Sequence, residues 1–164
     1  MNNKSLETLI REELERIRTV KAAAIDNMVL PFAKRLSEAV EAEAARIGVN
    51  VVVAISDRAA RPVLVHVMED AYIASYDVAL QKAFTVAALK MSTMDLKPLA
   101  QPGGPLYGIQ NTNDGHIVIF GGGEPLKIGD RVVGGLGVSG GTEEQDTALA
   151  AYGAAVFAEL ANHV

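Results

Sequence analysis

Apolar residues recur at Leu6, Ile10, Leu14, Ile17 and Val20, at spacings of four, four, three and three, with Glu and Arg filling the opposite face. That is the helical period. It predicts an amphipathic helix over 5–24 whose single apolar stripe packs onto the domain or onto another subunit. MVL before Pro31 is biased toward extended geometry, and proline suits a helix start. A second helix is expected from Pro31 to Ile47, with Phe32, Leu36, Val40 and Ile47 inward and Gly48 as its terminator. Val49 to Ser56 is a continuous β-branched run and reads as a buried strand. SDRAARP turns it, and Pro62 to Met68 returns as its hairpin partner. On the return strand Leu64, His66 and Met68 share one face, and Val63, Val65 and Val67 the other.

Residues 73–90 carry a broad apolar surface (Ile73, Val78, Ala79, Phe84, Val86, Leu89) and predict a long helix. DLKPLAQP reads as one short helical turn stopped by prolines. Two further strands are expected, Ile117 to Phe120 after the turn NDG and Arg131 to Val138 after KIGDR. The last helix opens at Thr142, which forms a capping box with Gln145, while Glu143, Glu144 and Asp146 suit the positive end of the helix dipole. The same three carboxylates can alternatively hold a divalent metal, but dipole compensation explains them with fewer assumptions. The order α–α–β–β–α–β–β–α predicts an α+β domain, an antiparallel sheet of about four to five strands flanked by helices. Two hairpin-short connections argue against a doubly wound parallel sheet.

Composition narrows the chemistry. A chain of 164 residues, 49% hydrophobic, forms one domain over 1–164 with a core that needs no disulfide or metal. The absence of cysteine excludes a disulfide scaffold, an iron–sulfur cluster, a thiolate haem ligand and a Cys nucleophile. A net charge of −5 with no basic cluster after Arg35 argues against nucleic acid as a partner. The charged N-terminus lacks the apolar stretch of a signal peptide, and no run approaches a membrane span, so a cytoplasmic protein without a membrane partner is expected.

Thirteen of the fifteen glycines lie between Gly103 and Gly141. Glycine is kept where the backbone turns sharply or something approaches it closely, so these clusters mark a pocket floor or a tightly packed surface. GLGVSG, Gly135 to Gly140, satisfies the dinucleotide pattern G-x-G-x-x-G, but no second parallel strand with an acidic end follows it. Close packing of a strand against helices or a neighbouring subunit is the preferred reading.

The segments ASYDVALQKAFTVAALKM, LAQPGGPLYGIQ, IVIFGGGEPL and VVGGLGVSGGTEEQD carry a resemblance. Over about Pro31 to Phe157 the chain resembles the GlcG/HbpS/PduO C-terminal family of haem-associated domains, with residues 1–26 as an extra N-terminal element. The resemblance implies a compact antiparallel-sheet domain of profilin-like architecture, commonly a homo-oligomer. It also implies haem binding, haem-responsive sensing or haem breakdown, and operons for glycolate, propanediol, glycerol or ethanolamine use. Some relatives are fused to a cobalamin adenosyltransferase; no such domain fits in this chain. The family's two-glycine turn between the first strands is SDRAARP here.

Haem iron needs an axial His, Met, Tyr or Cys. The available donors are His66, Met68, His116, Tyr107 and His163. His66 leads as a possible haem-iron ligand because Met68 projects from the same face two residues on; a hydrogen-bonded strand histidine is the competing reading. His116 reads as a solvated strand end, and Tyr107 as a pocket cap or as core. Gly121, Gly122, Gly123, Gly140 and Gly141 are the candidate cofactor-binding backbone. Lys82 and Asp77 form either an exposed pair or a pair facing the glycine loops. No nucleophile elbow, zinc-ligand spacing or triad is present, which leaves catalysis unassigned. Three functions follow: a haem- or tetrapyrrole-binding accessory or sensor protein; an enzyme or enzyme helper binding a small hydroxylated metabolite; or a structural oligomer without a ligand.

Overall fold

The computed structural model describes residues 27–162. The expected helix over 5–24 and His163 lie outside them. Four strands and four helices follow in order: α1 (Leu30–Arg46), β1 (Val52–Asp57), β2 (Pro62–Val67), α2 (Ser75–Leu89), α3 (Thr93–Leu99), β3 (Gly123–Ile128), β4 (Arg131–Ser139) and α4 (Glu143–Asn162). The strands form one sheet in the order β2-β1-β4-β3, antiparallel at every pairing. The α+β prediction holds.

Helix ends follow the sequence. Pro31 opens α1, and Gly48, at φ +71°, closes it. Val49 N–H donates to Ala44 O at 2.9 Å and Gly48 N–H to Ala45 O at 3.1 Å, the paired bonds of a Schellman stop. The capping box before α4 forms both ways, Gln145 N–H to Thr142 Oγ1 at 3.2 Å and Thr142 N–H to Gln145 Oε1 at 2.9 Å.

Both faces of the sheet are covered, which is why β1 is buried along its whole length and reads as a continuous apolar run rather than an alternation. On one face Val51, Val53, Ile55, Leu136 and Val138 meet Leu36 and Val40 of α1 and Leu149 and Phe157 of α4. On the other, Val52 and Ala54 meet Ala79 and Ala83 of α2. The second interface is built from small residues, so α2 lies close to the sheet.

One strand expectation fails. Ile117–Phe120 is not a strand, although Ile117 and Val118 are buried. Val118 N–H donates to the Thr85 hydroxyl at 2.9 Å instead of to a sheet neighbour. The third strand is GEPLKI, at the sheet edge. Its glycine and Pro125 read as turn signals, yet an edge strand tolerates a residue that donates no ladder bond.

Candidate functional site

The β1–β2 turn is tied by one carboxylate. Asp57 Oδ1 accepts from Ala59 N–H at 2.8 Å and Arg61 N–H at 2.9 Å, and Oδ2 accepts from Arg61 Nε at 3.0 Å. These bonds let SDRAARP hold a tight reversal without glycine, with Ala60 at φ +60°. Burial works against ionisation of Asp57, but the two amides and the guanidinium together outweigh it and hold the carboxyl below its ordinary range. A folded-state value below the unfolded one contributes stability that is present above the unfolded pKa and lost as pH falls through the folded pKa. Asp57→Asn is therefore expected to cost about 1–2 kcal/mol at neutral pH. That deficit should close as pH falls below the carboxylate range; urea melts at pH 7 and pH 3 check it.

This turn forms one wall of a cleft of about 360 Å³. Ala60 and Pro62 of the hairpin face Leu80 and Phe84 of α2, with Asp77, Gln81 and His116 also lining the cleft. His116 stands edge-on to Phe84, ring centroids 5.7 Å apart. It sits in the turn after Asn113–Gly115 and is exposed, so one imidazole borders an otherwise largely apolar opening.

A second centre lies where α2, the end of β4 and the start of α4 meet. Lys82 is fully buried; its Nζ donates to Val138 O at 2.7 Å and to Asp146 Oδ2 at 3.0 Å, and stands 5.1 Å from the centre of the Phe120 ring. Burial pushes Lys82 down and Asp146 up, each against the attraction of its partner. Asp146 also accepts from Gly141 N–H at 2.8 Å, and Glu143 accepts from Gly121 N–H at 2.8 Å and from Lys97. Two of the three acidic residues of the first turn are thus bound to protein groups. Among the described residues no group of three or more His, Asp or Glu is arranged to hold a metal ion.

The glycines and histidines singled out by sequence separate in space. Gly121, Gly122 and Gly123 pack against Thr147, Lys82, Asp146 and Thr93. Gly140 and Gly141 line a polar cleft of about 460 Å³ with Asn50, Tyr72 and Gln145. His66 lies elsewhere, on edge strand β2 opposite Val53, hence on the face covered by α1. Its Nδ1 is 2.7 Å from Glu41 Oε1, and its side chain is 40% exposed. The same Glu41 oxygen accepts from the Ser37 hydroxyl. The Met68 sulfur accepts a long contact, 3.5 Å, from Val51 N–H and packs against the core. Tyr107 is exposed. Asp77 and Lys82 do not pair: Asp77 lines the hairpin cleft, and Lys82 faces the glycine loops and Asp146.

Sequence reasoning missed the Lys82–Asp146 pair. A signal was present, because Ala79, Lys82, Ala83 and Val86 recur at inward-facing spacing on one helix. Among the described residues no helix is long and apolar enough to cross a membrane.

Comparison with known proteins places this geometry. A 15.0 kDa protein from the dhaT–dhaS intergenic region of Citrobacter freundii is 43% identical over 140 residues, covering 85% of this chain and 99% of its own length. The corrinoid adenosyltransferase PduO of Salmonella typhimurium is 39% identical over 116 residues, which are 71% of this chain but 34% of that enzyme. The crystal structure of a PduOC:heme complex superposes with a TM-score of 0.75 at 36% identity, covering 79% of this chain and 94% of that one. The sequence model of the haem degrading protein HbpS-like family matches residues 30–155, from the first turn of α1 into the second half of α4. With the whole sheet and both helical layers inside that match, the chain belongs to the HbpS-like family, the GlcG/HbpS/PduO C-terminal group.

Proposed function

We propose that this protein binds haem or a related tetrapyrrole in the cleft between α2 and the β1–β2 hairpin, with His116 as the axial donor. The observation that carries the reading is the meeting of apolar walls and one imidazole in a single opening. Its volume of about 360 Å³ falls among small-molecule pockets, and it opens to solvent at His116 and Asp77, so a flat macrocycle need not be enclosed. Pro62, Leu80 and Phe84 would contact the ring faces, and a His116 ring nitrogen would supply the lone pair. These residues fit the group. Bound haem would supply a redox-active iron; the chain's part is to seat and orient it. Family membership and the haem complex of the PduOC neighbour support the reading. An accessory or sensor role belongs to the same reading, and the likeness to PduO and to the dhaT–dhaS intergenic protein supports a propanediol-related context for it. A homo-oligomer belongs to the same reading, supported by the exposed Val67, Tyr72 and Ile73.

One observation favours a second site for the iron. Metal-bound histidines generally have their other ring nitrogen held by a carboxylate or carbonyl, and Glu41 holds His66 Nδ1 in that way on a side chain that is half-buried. A macrocycle there would need its second wall from another molecule.

Titration with haemin separates these readings. Wild-type protein is expected to give a saturable Soret shift at micromolar concentration. His116→Ala should displace the band and weaken binding at least about tenfold, the loss of one coordinate bond. His66→Ala should leave both unchanged. The reverse pattern moves the iron to His66, and a wild-type spectrum that never saturates removes the haem reading.

A further inference from the structure

We infer that Thr85 is a positioning residue whose buried hydroxyl pins the segment His116–Val118 to α2 and thereby sets where the His116 imidazole stands in the cleft. Thr85 lies in the second half of α2 and is fully buried. A threonine inside a helix commonly turns its hydroxyl back to the carbonyl one turn earlier. This hydroxyl does so, donating to Gln81 O at 2.7 Å, but it also accepts from Val118 N–H at 2.9 Å and stands 3.2 Å from His116 O. Its single hydrogen serves the nearer carbonyl first, so the hold on the loop rests chiefly on the bond accepted from Val118. Val118 is 6% exposed and lies in no strand, and without the Thr85 oxygen its buried amide loses this acceptor.

The imidazole depends on that anchor because of what precedes it. Residues 111–116 are all exposed, and Asn113, Asp114 and Gly115 follow one another at φ of 50°, 55° and 79°. Consecutive left-handed residues make no ladder that would fix the direction of the side chain after them. Burial begins at Ile117, so His116 is the last exposed residue before the chain is held. On α2, Gln81, Phe84 and Thr85 stand at i, i+3 and i+4, on one side of the helix. Gln81 and Phe84 line the cleft, and Phe84 meets the His116 ring at 73° with centroids 5.7 Å apart. Two neighbours in sequence thus hold two parts of one residue: Phe84 touches the ring, and Thr85 ties the main chain on either side of it. An edge contact between rings tolerates sliding, whereas a hydrogen bond fixes both distance and direction. On the reading that His116 is the donor of this cleft, on which the inference rests, Thr85 is what keeps the ring nitrogen facing the opening.

Thr85→Val exchanges the hydroxyl for a methyl of similar shape, and Thr85→Ser keeps the hydroxyl. The first measurement needs no haem. With three histidines in the chain, the ring protons of His116 can be assigned by NMR. Wild type and Thr85→Ser are expected to show nuclear Overhauser contacts between His116 and Phe84, and Thr85→Val to lose them. The second measurement is titration with haemin. Thr85→Val should weaken binding about tenfold and displace the Soret band in the direction of His116→Ala, while Thr85→Ser keeps both affinity and band. Thr85→Val combined with His116→Ala should bind no more weakly than His116→Ala alone, because a residue acting through the imidazole has nothing left to act on. Contacts retained in Thr85→Val overturn the inference, as do losses that add in the double variant or a Thr85→Ser protein that behaves like Thr85→Val. If wild type never saturates with haemin, the haem reading falls, and the Overhauser contacts alone decide the positioning role: their loss in Thr85→Val upholds it and their persistence refutes it. Should Thr85→Val fold poorly, Thr85→Ala takes its place, with loss of the contacts expected and their retention again overturning the inference.

Discussion

Gly137→Ala is expected to cost about 3 kcal/mol or more, lowering the melting temperature by roughly 6–12 °C for a chain of this size. Gly137 sits in the middle of β4, paired with Ala54 of β1 and Gly123 of β3. A Cβ at Gly137 would stand 2.1 Å from Ala79 O and 2.7 Å from Ala83 N, both main-chain atoms of α2. A side chain can rotate away from such an overlap, but a helix backbone cannot, so α2 must lift from the sheet. Lifting it would open the Val52–Ala54–Ala79–Ala83 interface along its length. The substitution at Gly129 is the comparison. Gly129 lies in the β3–β4 turn with nothing within 4 Å and φ at +58°, so Gly129→Ala meets only the left-handed strain of about 1 kcal/mol. Thermal melts of the two variants decide the matter. A Gly137→Ala protein as stable as Gly129→Ala would mean that α2 does not rest on β4 as described.

The same contact explains what the sequence disclosed and what it withheld. Period and punctuation located α1, β1, β2, α2, β4 and α4 within a few residues, because each has a long uniform pattern with a physical stop at its end: Gly48, the Asp57 turn, the Thr142 box. GEPLKI was passed over because an edge strand needs neither alternation nor a full set of amide donors, and glycine with proline imitates a loop. The glycine clusters were legible as places of close approach, but sequence cannot name the approaching group. For Gly137 it is the chain's own α2, and for Gly122 it is an ammonium. His66 reads as the leading donor because it shares a strand face with Met68, a local fact, whereas its Glu41 partner comes from another element 25 positions away. That His116 closes on a cleft with Phe84 depends on the loop before β3 folding back over α2, a contact between residues 32 positions apart that no period encodes.

Lys82→Met should be the most damaging side-chain change that keeps the volume of the site, costing about 3–5 kcal/mol at pH 8. It leaves Asp146, a 4% exposed carboxylate, without its ammonium partner; the Gly141 amide and the end of α4 remain as partial compensation. Burial already raises the pKa of Asp146 against the pull of Lys82, and without Lys82 it rises further. A folded-state value above the unfolded one means that the folded protein holds the proton more tightly. Stability then declines as pH rises from the unfolded pKa through the folded one. The deficit of Lys82→Met should accordingly be largest at pH 8 and shrink toward pH 4, where Asp146 is neutral. Lys82→Met combined with Asp146→Asn should recover most of the loss at every pH, since an amide oxygen still accepts from Gly141 and no charge is left in the interior. Gly122 belongs to this centre: a Cβ there would come within 2.5 Å of Lys82 Nζ and 2.8 Å of Asp146 Cβ, so its lack of a side chain is what makes room for the pair. Denaturant titrations of the single and double variants at pH 8 and pH 4 test all three statements. A pH-independent deficit, or a double variant no better than the single, would show that the ammonium acts by filling space rather than by neutralising Asp146.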